Sequence, residues 1–150
     1  MSRLIAAARS ATRSNADLLI AAVERLPADQ RVWRPLDEGR SALSILMECG
    51  NVTEYVAEYL AGGDLPDEEA LPGPEDFADA EAACAYLEQA TERLLEVLEG
   101  LSEAALDDPR PVPWDESMTL GDAIWIVAFH TAYHWGQVNY IQTLLGDREM

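Results

Sequence analysis

Apolar residues recur at spacings of three and four along four stretches of this chain, which is the period of an amphipathic α-helix. The stretches cover about residues 2–26, 41–61, 79–100 and 119–145. Between them lie segments rich in proline, glycine and acidic residues, which are typical of connections. No alternating pattern of strand length competes with them. The pattern therefore predicts an all-α protein with four helices of bundle length.

Residues at the ends of these stretches have the chemistry of helix caps. Ser41 and Asp79 precede the second and third stretches as predicted N-caps, because their side-chain oxygens can accept from a free backbone N–H. Thr119 with Asp122 three residues later matches a capping box. Gly146 is the predicted stop of the fourth helix.

The fourth stretch differs from the others in being apolar on every side over Ile124–Phe129. Such a segment predicts a helix that is surrounded by its neighbours. Gly136 within the same helix costs about 1 kcal/mol relative to alanine, so it predicts a close approach of another backbone. With 150 residues and no sign of a linker between two cores, residues 1–150 are predicted to form one domain.

Charge and composition exclude several functions. The formal net charge is −18, so nucleic acid is an unfavourable partner for this chain. All ten cationic residues are arginine, which excludes Schiff-base chemistry at lysine and the lysine of a phosphate-binding P-loop. No G-x-S-x-G or G-x-G-x-x-G motif is present, so serine-hydrolase and dinucleotide-binding functions have no support.

No stretch reaches the length of apolar residues that spans a bilayer, and the N-terminal segment lacks the apolar core of a secretion signal. We therefore expect a cytoplasmic protein with no membrane partner. Cys49 and Cys84 lack the spacing of a disulfide framework and are expected to be buried, reduced thiols.

The candidate chemistry lies in the fourth helix, where the only two histidines, His130 and His134, are four residues apart. On a helix this spacing puts both imidazoles on one face with β-carbons about 5–6 Å apart, close enough to bind one cation. Two buried structural histidines are the alternative, and each would then need a hydrogen-bond partner.

Catalytic zinc sites ordinarily use three protein ligands, so a third donor is expected on a facing helix. Glu48, between Met47 and Cys49 in the second helix, is the candidate, because a buried carboxylate is stabilised by a divalent ion. A surface position for Glu48, or replacement of it by Cys49 or water, remains open. Two histidines and a carboxylate also match the iron facial triad, although such triads sit more often on β scaffolds.

Polar neighbours on the same faces complete the candidate site. Gln137 lies one turn beyond His134 and Asn51 one turn beyond Glu48, so either could orient a ligand or water, or simply hydrogen-bond between helices. Tyr133 and Trp135 flank the second histidine and are expected to pack in the core or at an interface.

Three segments resemble the DinB-like (YfiT-type) superfamily of bundle proteins. The segment HTAYHWGQVNYIQTLLG at 130–146 is similar to the family's histidine, three residues, histidine, then x-G-Q in the last helix. VWRPLDEGRSALSILMEC at 32–49 resembles the W-x-P loop that leads into the second helix, and PVPW at 111–114 precedes the fourth. The segments occur in the family's order over essentially the whole chain.

The resemblance implies an antiparallel four-helix bundle with a divalent metal on three histidines, two of them corresponding to His130 and His134. The helix-two histidine is replaced by Glu48, and the residue after the second histidine, often arginine in the family, is Trp135. Because a carboxylate can still bind a metal, the change affects the choice of ion, among Zn, Ni, Mn and Fe, more than binding itself.

The resemblance also implies a function. We expect a metal-dependent thiol S-transferase or hydrolase that acts on a small molecule, with a low-molecular-weight thiol as the co-substrate of the transferase. Glu48 and Gln137 are the candidate catalytic residues, with Glu48 a general base if it is not a ligand. Trp33 and Trp114 would line the cavity. A homodimer is implied as well, and a non-catalytic dimeric bundle with a stress-response or small-molecule-binding role is the alternative function.

Overall fold

The computed structural model describes residues 2–63, 71–73, 76–77, 79–112 and 115–147, and it is built from helices. The helices are α1 (Arg3–Arg25), α2 (Ala42–Leu60), α3 (Ala80–Gly100), α4 (Leu120–Ala123) and α5 (Ile126–Leu144). Short 3-10 helices lie in the connections, and the described residues contain isolated β-bridges but no strand. The predicted all-α four-helix bundle is confirmed.

The helices begin where the sequence places its caps. Ser41 and Asp79 each accept a hydrogen bond from the backbone N–H three residues further on, at 3.1 and 2.9 Å. Thr119 and Asp122 form both bonds of the capping box. Gly146 adopts a φ of +95°, a left-handed conformation that favours glycine after a helix. These local signals therefore position the helix ends correctly.

Two apolar clusters fill the bundle and establish the directions of its helices. One joins the start of α1 to the ends of α2 and α3 and to the start of α5. The other joins the end of α1 to the starts of α2 and α3 and to the end of α5. The order of directions is thus up, down, down, up, with α1 parallel to α5 and α2 parallel to α3. The connection over 61–79 is long enough to return the chain to the other end of the bundle, whereas a short loop would make α2 and α3 antiparallel.

The prediction of the fourth helix is wrong in one respect, because the observed helix is interrupted at Ile124 and Trp125. The capping box starts α4, but the N–H of Trp125 bonds the carbonyl of Asp122, three residues back instead of four. This tighter turn separates α4 from α5. Local periodicity could not reveal the break, since both pieces are apolar.

The prediction that residues 124–129 are buried all round is also wrong, because Phe129 is 72% exposed. Ile124, Val127 and Ala128 are buried, but α5 packs against α1 and α2 and leaves its outer side open. Gly136 lies on an open side too: a β-carbon there would meet no atom within 4 Å, so no other element of the described residues brings its backbone close. Within the described residues, no helix is long and apolar enough to cross a bilayer.

Candidate metal centre

The i, i+4 spacing places both imidazoles of α5 on the side that faces α2. The Nε2 atoms of His130 and His134 lie 3.2 Å apart, and the His134 side chain is only 4% exposed. Since α2 runs antiparallel to α5, residues near the seventh position of α2 lie opposite the two histidines. The predicted convergence of the two histidines is present.

Glu48 extends from α2 toward these two nitrogens. Its Oε1 lies 3.7 Å from Nε2 of His130 and 3.6 Å from Nε2 of His134. Three donors on one tetrahedral ion, each at about 2.0–2.2 Å, lie about 3.4 Å from one another. The three atoms therefore form a triangle of the size that one divalent ion requires.

Cys49, the next residue of α2, contacts the same histidines from another side. One donor atom each from Cys49, His130 and His134 lies within 4.8 Å of the others, a cluster that could hold a metal. The thiol, however, lies 3.9 Å from Nδ1 of His130, the ring nitrogen opposite the one that faces Glu48 and His134. Cys49 is thus placed to orient the His130 ring, and Glu48 lies on the side where both Nε2 atoms converge.

Gln137 and Tyr133 determine which ring nitrogen of His134 carries the proton. Because the Gln137 Oε1 can only accept, the Nδ1 of His134 donates to it at 2.7 Å, and Nε2 keeps its lone pair. The Gln137 amide nitrogen in turn donates to the Tyr133 hydroxyl at 3.0 Å. An imidazole oriented in this way by a partner on its far nitrogen is the usual arrangement of a metal-binding histidine.

Burial keeps the two imidazoles and the Cys49 thiol neutral. Desolvation, with help from His134 and Arg40, lowers the pKa of His130 to about 4. Desolvation also lowers the pKa of His134, against a smaller opposing effect of its bond to Gln137. Burial raises the pKa of the Cys49 thiol to about 12. At neutral pH both imidazoles are therefore free bases with available lone pairs, and Cys49 is a thiol.

Sequence reasoning missed Arg40, which forms an ion pair with Glu48. The guanidinium contacts Oε2, and this leaves Oε1 turned toward the histidines. Arg40 lies just before α2, eight positions from its partner, and no helical spacing relates the two residues. No signal in the sequence could have revealed this pair.

Asn51 and Trp33, which the sequence also indicated as site residues, contribute no donor atom to the histidine cluster. Asn51 donates to the carbonyl of Pro72 and accepts from the Tyr86 hydroxyl, both at 3.0 Å, so it ties three parts of the chain together. Trp33 is 37% exposed and does not line either of the clefts that flank the histidines. Trp114 lies outside the described residues. Cys49 and Cys84 are both buried free thiols, as expected.

Two clefts flank the cluster. The first, of about 490 Å³, contains Glu48 and His130 in its wall; we call it the α2–α5 cleft. The second, of about 530 Å³, is lined on its polar side by Arg40, Tyr133 and Gln137. Glu48 and His130 are thus accessible to a small molecule without any opening of the bundle, whereas His134 lines neither cleft.

Fold and site together define a helical bundle with a Cys/His/His cluster between facing helices that could hold a metal. The family model of the DinB superfamily matches residues 11–138, and the chain belongs to that superfamily. A crystal structure of a conserved protein from Enterococcus faecalis superposes with a TM-score of 0.80 at 14% identity, covering 98% of this chain and 100% of that one. At this identity the likeness shows the fold alone. No curated protein matches the sequence.

Proposed function

We propose that this protein is a metal-dependent enzyme whose divalent ion is held by Glu48, His130 and His134. The observation that supports the proposal is the triangle of Glu48 Oε1 and the two histidine Nε2 atoms, with sides of 3.2, 3.6 and 3.7 Å. Nitrogen and carboxylate donors suit Zn, Ni, Mn and Fe alike, so the donor set leaves the ion unspecified.

A divalent ion at these donors supplies Lewis acidity, which lowers the pKa of a water or thiol. The protein's own residues prepare the donors. Gln137 holds His134 with Nε2 unprotonated, and Arg40 holds one oxygen of Glu48 so that the other faces the histidines. The proposed reactions are hydrolysis, or S-transfer with a low-molecular-weight thiol as co-substrate. Gln137 acts here as a positioning residue.

Metal analysis of protein purified without added metal tests the proposal. We expect about one equivalent of one transition metal in the wild type and less than about 0.1 in His130→Ala, because such sites bind tightly. A content below about 0.1 equivalent of Zn, Ni, Mn and Fe in the wild type, with no uptake on titration, would contradict it.

Separate variants identify the third ligand. Glu48→Gln is expected to lose the metal, whereas Cys49→Ala keeps it, because the thiol faces the other nitrogen of His130. Cobalt(II) provides a second readout, since a bound thiolate produces a charge-transfer band that a carboxylate does not. Loss of metal in Cys49→Ala with retention in Glu48→Gln would assign the third position to Cys49.

A second candidate function is a non-catalytic bundle that binds small molecules, and one observation favours it. Both histidines have hydrogen-bond partners without an ion, in a chain from Cys49 through His130 and His134 to Gln137. Arg40 also balances the charge of Glu48. In that case His130→Ala and His134→Ala would retain small-molecule binding while neither they nor the wild type takes up metal.

A further inference from the structure

The α2–α5 cleft has apolar walls and one polar end. Its walls are formed by Val52, Tyr55 and Val56 of α2 with Ile126 of α5, and Leu71 covers one side. Glu48 and His130 occupy the polar end. Ligand sites commonly have this composition, with many apolar side chains and a few convergent polar groups.

In the metal-free protein, the cleft offers no unpaired charge to a ligand. Among the described residues that line it, Glu48 is the only charged side chain, and Arg40 already pairs with it from outside the cleft. No arginine lines its described walls, and the sequence contains no lysine. An anion would therefore enter without a partner and against the field of a chain whose net charge is −18.

The amide of Asn51, another polar group of the cleft, is already engaged. Asn51 donates to Pro72 and accepts from Tyr86, and these bonds hold the 71–73 segment, with Leu71, against α2. The side of the cleft that Leu71 forms is thus fixed by hydrogen bonds between described residues. Apart from the Tyr55 hydroxyl, polar recognition is left to the Glu48 and His130 end.

We infer that the α2–α5 cleft binds an uncharged, mainly apolar small molecule whose polar end lies at Glu48 and His130. Its volume of about 490 Å³ exceeds, by roughly threefold, the cavity of about 150 Å³ that holds benzene, so a molecule of about three rings fits. That this molecule is the enzyme's substrate rests on the proposed function. That the cleft binds such a molecule is independent of the proposed function.

Two fluorescent probes with one skeleton test the inference on metal-free protein. N-phenyl-1-naphthylamine is neutral, and 8-anilinonaphthalene-1-sulfonate carries an added sulfonate; both brighten when they leave water. We expect the neutral probe to bind at least about tenfold more tightly than the anion, because the sulfonate would be buried without a partner.

Variants locate the bound probe. Val52→Trp fills the cleft and is expected to weaken binding of the neutral probe about tenfold or more, because it removes the apolar volume. Val52→Arg introduces a cation and is expected to shift the preference toward the sulfonate. Leu4→Ala is the control at an apolar surface position of α1, where Leu4 is 42% exposed, and should leave binding unchanged.

Equal binding of the two probes, or neutral-probe binding that survives both Val52 variants, would overturn the inference. So would a folded wild type, verified by circular dichroism, that binds neither probe. Metal uptake, measured by titration of the same metal-free protein, separates the two proposals: metal uptake without probe binding contradicts the cleft assignment alone, and probe binding without metal uptake contradicts the proposed enzyme alone.

Discussion

At the scale of single residues, the site depends on which nitrogen of each histidine is protonated. Gln137 fixes His134 by accepting from its Nδ1 at 2.7 Å. His130 has Cys49 at its Nδ1 and His134 and Glu48 at its Nε2. In the metal-free protein, the Nε2 of His130 can donate to His134. After a change of tautomer that frees Nε2 for an ion, its Nδ1 can donate to Cys49 instead. The same side chains can satisfy the buried site in either state.

Gln137→Leu is predicted to weaken metal binding about 10- to 100-fold, the usual cost of losing the partner that orients a ligand histidine. Competition titration against a chelator of known affinity measures the change. Gln137→Glu keeps an acceptor for Nδ1 and should recover most of the affinity, and Tyr133→Phe should have a smaller effect than Gln137→Leu. Unchanged affinity in Gln137→Leu would show that this hydrogen bond does not support the site.

At the scale of elements, helix ends follow local chemistry, while helix surroundings do not. The capping residues Ser41, Asp79 and Thr119 begin their helices where the sequence predicts. By contrast, the apolar composition of α5 predicts burial, yet its outer side is open. Phe129, Tyr133 and Tyr140 are all more than 60% exposed. A cap interacts with groups three residues away, whereas burial depends on which helices lie alongside.

Two helical glycines give opposite predictions. Gly136→Ala is predicted to raise the free energy of unfolding by about 0.5–1 kcal/mol, because the added β-carbon meets no described atom within 4 Å and alanine favours the helix. Gly50→Ala should lower it, because its β-carbon would lie 2.5 Å from the Tyr86 ring. Urea denaturation at low protein concentration measures both. A destabilised Gly136→Ala monomer would contradict the open surroundings of this position.

The capping box predicts a dependence of stability on pH. Hydrogen bonds from the Thr119 side chain and backbone hold the pKa of Asp122 below its usual range. A carboxyl whose pKa is lower in the folded state stabilises the fold above its unfolded pKa, and this contribution is lost as the pH falls through the folded value. The difference in stability between wild type and Asp122→Asn should therefore be constant near neutral pH.

Below the unfolded Asp pKa of about 3.9, that difference is expected to shrink. Denaturation of both proteins at a series of pH values measures it, with Asp17→Asn as a control at an exposed acid of α1. A difference that grows on acidification would contradict the assigned direction.

At the scale of the whole molecule, charge restricts how two copies can meet. The net charge of −18 opposes association, yet no charged residue occurs between Asp122 and Asp147. Burying Phe129, Tyr133 and Tyr140 on the outer side of α5 would remove roughly 400 Å² from water, about half of the roughly 800 Å² per partner of a standard interface. The homodimer implied by the family resemblance stays a prediction, and this face is where we expect it.

Sedimentation velocity over the micromolar range tests the dimer. The wild type is predicted to sediment as a dimer, and a Phe129→Glu, Tyr140→Glu double variant as a folded monomer. Leu4→Glu, at an exposed apolar position near the start of α1, is the control and should behave as wild type. A wild type that is monomeric throughout, or a double variant that still dimerises, would contradict this interface.

By itself, the sequence determined the helices, their caps and the pairing of His130 with His134, because each depends on residues within four positions of one another. It also indicated Glu48 as a partner, since a carboxylate in an apolar stretch is unusual. Only the tertiary structure decided the parallel direction of α2 and α3, the break before α5 and the open side of that helix. It also decided that Arg40 holds Glu48 and that Cys49 faces the far nitrogen of His130. These features join residues that are distant along the chain, and their contacts depend on how the helices pack.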